Sequence, residues 1–346
     1  MIFDYSVEGV LKGHPDKICD QISDALLDEF LSQDKDSKVA IECMGSGNII
    51  VVAGEINSKA DVNVEKVVKK TYKKIVWHSK KNINVINLLS IQSQQLQMNA
   101  KNGNAADQGI MYGYACDNDY NYLPYGYYIV NIICQRLDKF GEESKLYYTD
   151  GKVQVVIENN NIKKLYINVQ HDKYANLIQI EKEIKENILY DIEYKELHIN
   201  EDKNFVNGGI ENDTGLTGRK IVIDTYGGLI CHGGGAFSGK DPSKLDRSAA
   251  YMCRYVAKNL VANKFAKECI VSVAYMFGKK EPIMLKVIAD GIYSKYLTDF
   301  IKKKYDFTTI KIREFFELEK VRYLPTATYG HFTNVNYPWE KIEKIS

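Results

Sequence analysis

The chain has 346 residues, 45% hydrophobic and 26% charged, a globular balance that excludes disordered and collagen-like chains. With 46 basic against 45 acidic residues its net charge is +1, without the basic excess of a general nucleic-acid coat or a polybasic membrane binder. No apolar run approaches the ~18–20 residues of a membrane span, the opening Met1-Ile2-Phe3-Asp4 lacks the basic start and apolar stretch expected of a signal peptide, and seven scattered cysteines without a C-x-x-C pair predict reduced thiols in a cytoplasmic protein and argue against structural zinc.

Three of the six prolines, Pro15, Pro124 and Pro242, open helix-like segments, since the first helical N–H has no partner to lose. After Pro15, Ile18, Ile22, Leu26 and Phe30 share one helical face. Strands over 39–44 and 49–56 and a helical stretch over 62–77 follow. After Pro124 the run Ile129, Ile132, Ile133 and Leu137 predicts a second helix, with strands over 153–158 and 162–169 and a helix over 175–189. After Pro242, Leu245, Ala249, Cys253, Val256 and Leu260 predict a third, with Asp241 placed to cap it. Strands over 270–277 and 283–289 and a helix from about Ser294 complete the pattern. The prolines lie 109 (124−15) and 118 (242−124) positions apart, close to a third of the chain. The expected fold class is α+β: three similar repeats (1–100, 101–206 and 207–346), each with helices on one face of a mixed sheet, strands being free to exchange between repeats.

Ten of the 24 glycines fall between 208 and 239, where even spacing gives about two. Such density costs conformational entropy with no packing in return, and it suits close backbone approach to a ligand, often phosphate. A strand is expected over Lys220–Thr225 between two glycine turns. Gly234–Lys240 fits the G-x-x-x-x-G-K of a P-loop, but Asp241 stands where a hydroxyl would hold magnesium. A different cradle is expected, flanked by Arg219, Lys220, Lys240 and Lys244, with Asp213, Asp241 and Asp246 as metal ligands or charge partners. A solvated charged turn is the alternative. Upstream, Lys12-Gly13-His14-Pro15-Asp16-Lys17 gathers a histidine, a carboxylate and cations at a helix start. His14 there suits an acid, a base or a donor to a leaving oxygen. Asp16 suits magnesium or plain helix capping. His78, His198 and His331 read as surface or packing residues.

In order along nearly the whole chain, these segments resemble the S-adenosylmethionine synthetase family. The motifs are GHPDKICDQISDALLDEFLSQD (13–34), GEI (54–56), QS (92–93), ADQGIMYGYACDND (106–119), DGKVQV (150–155), FVNGGIENDTGLTGRKIVIDTYGG, HGGGAFSGKDPSKLDRSAAY and TATYGHFTNVNYPWEK (326–341). The resemblance implies a pseudo-threefold arrangement of the repeats and a homodimer, possibly a dimer of dimers, with active sites between subunits. It implies ATP, L-methionine, two Mg2+ and K+, with no nucleic-acid or membrane partner. The methionine sulfur attacks the ribose C5′ of ATP, and the departing triphosphate is hydrolysed to diphosphate and phosphate. By motif position, the catalytic residues are His14, Lys152, Arg219, Lys240 and Lys244. ATP falls to these except Lys244, joined by Asp150, Phe205, Asp213, Lys220 and Ala236. Methionine falls to Glu55, Gln92, Asp213 and Lys244, magnesium to Asp16 and Asp246, and potassium to Glu42.

The sequence departs from the family pattern at Lys12, where glutamate is usual, at Gly209-Ile210, where Gly-Pro is usual, and between Gln92 and Asp107, where the family's mobile lid is longer. A short lid implies mobility, incomplete cover over the sulfur substituent, and hence activity with ethionine. Two other classes compete: a P-loop-like nucleotidase or kinase, and a non-catalytic paralogue. Asp241 argues against the first. The retention of His14, Asp16, Lys152, Asp213, Arg219, Lys240, Lys244 and Asp246 argues against the second.

Overall fold

The computed structural model describes residues 4–92 and 104–345. The lid expected over 93–106 therefore lies outside the described residues, apart from its last three. The first third holds β1 (Tyr5–Val10), α1 (Pro15–Gln33), β2 (Lys38–Ser46), β3 (Ile49–Asn57), α2 (Val64–Ile75) and β4 (Asn84–Ile91). The second holds β5 (Gly109–Cys116), α3 (Tyr125–Ser144), β6 (Gly151–Glu158), β7 (Asn161–Val169), α4 (Leu177–Asn187) and β8 (Tyr194–Ile199). The last holds β9 (Gly215–Leu216), α5 (Ile221–Thr225), α6 (Leu245–Ala262), β10 (Glu268–Tyr275), β11 (Met284–Ala289), β12 (Ile292–Tyr293), α7 (Lys295–Lys304) and α8 (Thr309–Phe316).

The strands form three four-stranded sheets, ordered β1-β6-β7-β8, β5-β10-β11-β12 and β9-β2-β3-β4. Each sheet is closed at one edge by a strand from another third. The first third lends β1 to the second, the second lends β5 to the last, and the last lends β9 to the first. The exchange is cyclic. The other edge differs. In the first two thirds a helix separates the third and fourth strands, which run parallel (β3 with β4, β7 with β8). In the last, β11 turns directly into an antiparallel β12 and the helix follows, as a tight hairpin requires. Two sheets are mixed, and the last is wholly antiparallel.

One long helix packs on each sheet. The inner residues of β2 and β3, Val39, Ile41, Cys43, Ile50 and Val52, are buried with Ile18, Ile22 and Leu26 of α1. Helix α6 crosses β5 so closely that a Cβ on Gly113 would lie 2.0 Å from the Cys253 carbonyl carbon. Among the described residues no helix is long and apolar enough to cross a membrane.

Two local expectations fail. Lys220–Thr225 is not a strand: the Asp224 N–H donates to Lys220 O and the Thr225 hydroxyl to Ile221 O, winding the short helix α5. The third long helix begins at Leu245, not at Pro242. Residues 239–241 run along the edge of β2 instead, with Ile41 N–H donating to Gly239 O and Asp241 N–H to Val39 O. The Asp241 carboxylate accepts from Val39 N–H and Ser243 N–H, so it fastens that edge and does not cap α6.

Candidate active site

Helix α1 is buried on two faces. Opposite its apolar row stand Asp16, Asp20, Asp24 and Asp28, one per turn, and each accepts backbone N–H groups from the last third of the chain. The donors are Leu216 to Asp16, Gly218 to Asp20, Gly239 to Asp24, and Tyr323 and Leu324 to Asp28. Both glycine turns are thereby laid along one helix, and they touch where a Cβ on Gly218 would lie 2.6 Å from that of Ala236. Sequence reasoning missed this row. Its spacing of four is plain in the sequence, but polar residues opposite an apolar row normally face water.

A first charged centre forms at the start of α1. His14 caps the helix, its Nδ1 accepting from Asp16 N–H at 3.2 Å. Asp16 accepts from Arg219 Nε at 2.9 Å and Lys220 Nζ at 2.6 Å. Burial raises the Asp16 carboxyl, but Lys220, the Leu216 N–H and Arg219 outweigh it and hold the net value below the ordinary one. Burial, then the positive charge of Lys220, bring His14 down to about 3, with Lys152 adding to the effect and Asp16 opposing it. His14 is therefore a neutral imidazole. Because Nδ1 accepts, its proton sits on Nε2, free to donate outward. Lys152 projects from the open face of β6, in one cross-strand row with Val10 and Asn168. Asp150 is buried and accepts from Gly209 N–H at 2.7 Å; burial raises its carboxyl to about 6 against that bond. Asp213 is exposed and accepts from Thr214 N–H. Beside this centre is a cavity of about 420 Å³ lined by Ser6, Glu8, Gln154, Arg219, Lys220 and Val222.

A second centre lies on the other glycine turn. Lys240 Nζ is 2.6 Å from Asp246 Oδ2, and Lys244 caps the helix that carries Asp246. Gly235 is needed here, since a Cβ on it would sit 2.0 Å from Asp246 Oδ1. An isolated bridge pairs Lys240 with Ala40, and Ala40 pairs with Glu55. Paired residues share a sheet face, so Lys240 and Glu55 lie in one row on the open face of β9-β2-β3-β4. Glu42 occupies the neighbouring row on that face, with Ala53 and Leu88. Gln92 follows β4 and is buried, its N–H donating to Ile56 O. Phe205 and Ala236 are half-buried.

The fold thus sorts the expected residues into two groups. Among the described residues no hydrogen bond or ion pair joins Asp16 to Asp246, and no group of three or more His, Cys, Asp or Glu could hold a metal by itself. Lys12 points away from both centres: its ammonium pairs with Glu142 and its N–H donates to Asp138.

The chain matches the S-adenosylmethionine synthetase N-terminal domain over residues 3–96, the central domain over 102–209 and the C-terminal domain over 207–341. It is 41% identical to the S-adenosylmethionine synthase of Borreliella afzelii, over 98% of this chain and 94% of that one. It is 38% identical to that of Mesoplasma florum, over 99% and 98%, and 37% identical to that of Staphylococcus epidermidis, over 99% and 96%.

Proposed function

Because the chain belongs to the S-adenosylmethionine synthetase family, we propose a division of its reaction among the two centres. The reaction is adenosyl transfer from ATP to L-methionine. A sulfur lone pair attacks C5′, and the C5′–O bond breaks with its electrons passing to the triphosphate. Water then splits the triphosphate into diphosphate and phosphate.

The observation that carries the residue assignment is the cluster of His14, Asp16, Arg219 and Lys220. A thioether is neutral, so the barrier lies in the charge that gathers on the leaving oxygen. His14 donates its Nε2–H to that oxygen as a neutral ring, while Arg219, Lys220 and Lys152 hold the phosphates. Donors and cations fixed before charge develops are commonly the largest contribution to catalysis. Lys240 and Lys244 complete the phosphate cradle from the second turn, with Asp150, Asp213 and Ala236 along the nucleotide and Phe205 beside adenine. Glu55, Gln92, Asp213 and Lys244 hold the ammonium and carboxylate of methionine.

The family is metal-dependent. Asp16 and Asp246 each already carry a lysine ammonium at 2.6 Å, so both are aimed at a cation. A single carboxylate with phosphate oxygens and water is the usual setting of Mg2+, whose contribution would be to neutralise phosphate charge. Glu42, exposed on the open sheet face, would hold K+.

We place the complete site between two copies of the chain, as a dimer or a dimer of dimers. The sheet face bearing Glu42, Glu55 and Lys240 also exposes Met44, Ile49, Ile86 and Leu88, the last at 60%, an apolar surface suited to a second copy. We place the enzyme in the cytoplasm, in keeping with its seven free cysteines, and treat 1–100, 101–206 and 207–346 as its repeats.

The test is incubation with ATP and methionine, scored for a sulfonium product with both phosphate and diphosphate. ADP as product would favour the P-loop alternative. His14→Ala should keep substrate binding and slow sulfonium formation about 10²–10³-fold; near wild-type single-turnover formation removes His14 from the mechanism.

A further inference from the structure

The third carboxylate of the acid row, Asp24, is fully buried and lies behind the second centre. Its Oδ1 accepts from Gly239 N–H at 2.8 Å and from Arg247 Nη2 at 2.7 Å, and its Oδ2 accepts from the same Nη2 at 2.9 Å. Gly239 is the residue before Lys240, and Arg247 is the residue after Asp246. One carboxylate therefore clasps both chain segments that carry the Lys240–Asp246 pair, each one residue from the charge it presents. Arg247 is fixed in turn: it is fully buried and its guanidinium lies 4.3 Å from the centre of the Tyr323 ring.

Resting on the assignment of Lys240 to the phosphate cradle, we propose that Asp24 is a positioning residue for adenosyl transfer, holding Lys240 and Asp246 in register from inside the protein. Its bonds run to the Gly239 N–H and the Arg247 side chain, beside the two charges, so its effect passes through the pair. Without its charge the Gly239 turn and the start of α6 lose their common anchor, and a displacement of about 1 Å at a charged group is enough to cost about a hundredfold in rate. A purely structural Asp24 would instead lower the melting temperature and leave the rate of the folded enzyme alone.

The experiment is a double-mutant cycle on the full-length enzyme, reading kcat and KM for S-adenosylmethionine formation well below the melting temperature. Asp24→Asn should lower kcat by about tenfold or more with little change in KM for methionine. In a Lys240→Met background the same change should cost no more than about threefold, because the Lys240–Asp246 pair through which Asp24 acts is already broken. In a His14→Asn background it should cost its full factor. Equal factors in all three backgrounds, or a wild-type kcat for Asp24→Asn, would overturn the proposal. A wild-type kcat for Lys240→Met would instead overturn the assignment of Lys240. If Asp24→Asn does not fold because Arg247 is left unpaired, Asp24→Asn/Arg247→Met removes both buried charges and goes through the same cycle with the same expectations.

Discussion

The two charged centres use the same kind of pair in different settings. At the first, Asp16 is 1% exposed and is surrounded by the Leu216 N–H, Arg219, Lys220 and the His14 cap. At the second, Asp246 is 23% exposed and meets Lys240 on an open face, with its support one layer deeper at Asp24. The first centre is thus part of the fold as well as of the site, because the bonds that aim its cations also fasten the first glycine turn to α1. The second can be altered at its surface without disturbing what holds it. A carboxylate of the same apparent importance in the sequence should give very different phenotypes at the two places.

The sharpest separation should come from matched neutral substitutions. Asp16→Asn should cost stability, about 1–3 kcal/mol for the hydrogen bonds and charge pairing of a buried group, together with a large loss of activity at any magnesium concentration. Asp246→Asn should leave the melting temperature nearly unchanged and raise the magnesium concentration needed for half-maximal activity. Denaturation curves and magnesium titrations of the two variants decide the matter, and matching melting temperatures would erase the distinction between the centres.

A smaller effect should appear in acid. The folded protein holds His14 down to about 3, against an ordinary value of 6.5. Between those values the unfolded chain binds a proton that the folded one resists. The contribution of a neutral His14 is therefore complete above pH 6.5 and is lost as the pH falls toward 3. His14→Gln cannot titrate, so its stability should fall less steeply across that window. His232, lowered by burial near Asp246, offers the same test at the second centre, where His232→Gln should flatten the curve less. Equal flattening at both places would show that burial alone, without the Lys220 charge, sets the behaviour of His14.

The mildest outcome is expected on the open sheet face. Glu42→Gln should mainly blunt activation by potassium, since an amide lacks the charge that a hard cation requires. Rates measured with and without potassium at saturating magnesium provide the test, and an intact potassium response would move that site elsewhere.

What could be seen in the sequence follows how local each feature is. The helices and β-hairpins carried their own signals: the four-residue apolar row from Ile18 to Phe30, and alternation over 39–44 and 49–56. The motifs of the first centre were visible for the same reason, because Gly13-His14-Pro15-Asp16 and the two glycine turns are contiguous. Partner choice was not visible. Nothing within Tyr5–Val10 names β6 as its neighbour, and β9 is only two residues long. The apolar run Ile221, Val222 and Ile223 reads as a strand by itself; in the fold it winds into a helical turn whose buried Asp224 accepts from Lys17, a residue 207 positions away. The acid row fell between these cases, written at regular spacing yet legible only once the glycine turns were known to cover it.

The cyclic lending of strands has a consequence for how such a chain can be made and divided. As the nascent polypeptide leaves the ribosome, its first sheet has β2, β3 and β4 early but must wait for residues 215–216 and 239–241 before the outer edge of β2 is covered. Contacts spanning that much sequence are slow to form and leave exposed edges in the interval. Cutting the chain at any boundary between thirds would strip one strand from one sheet and leave another without a partner. The repeats are therefore not interchangeable modules: excising, duplicating or shuffling one alone would leave strand edges unpaired in the others.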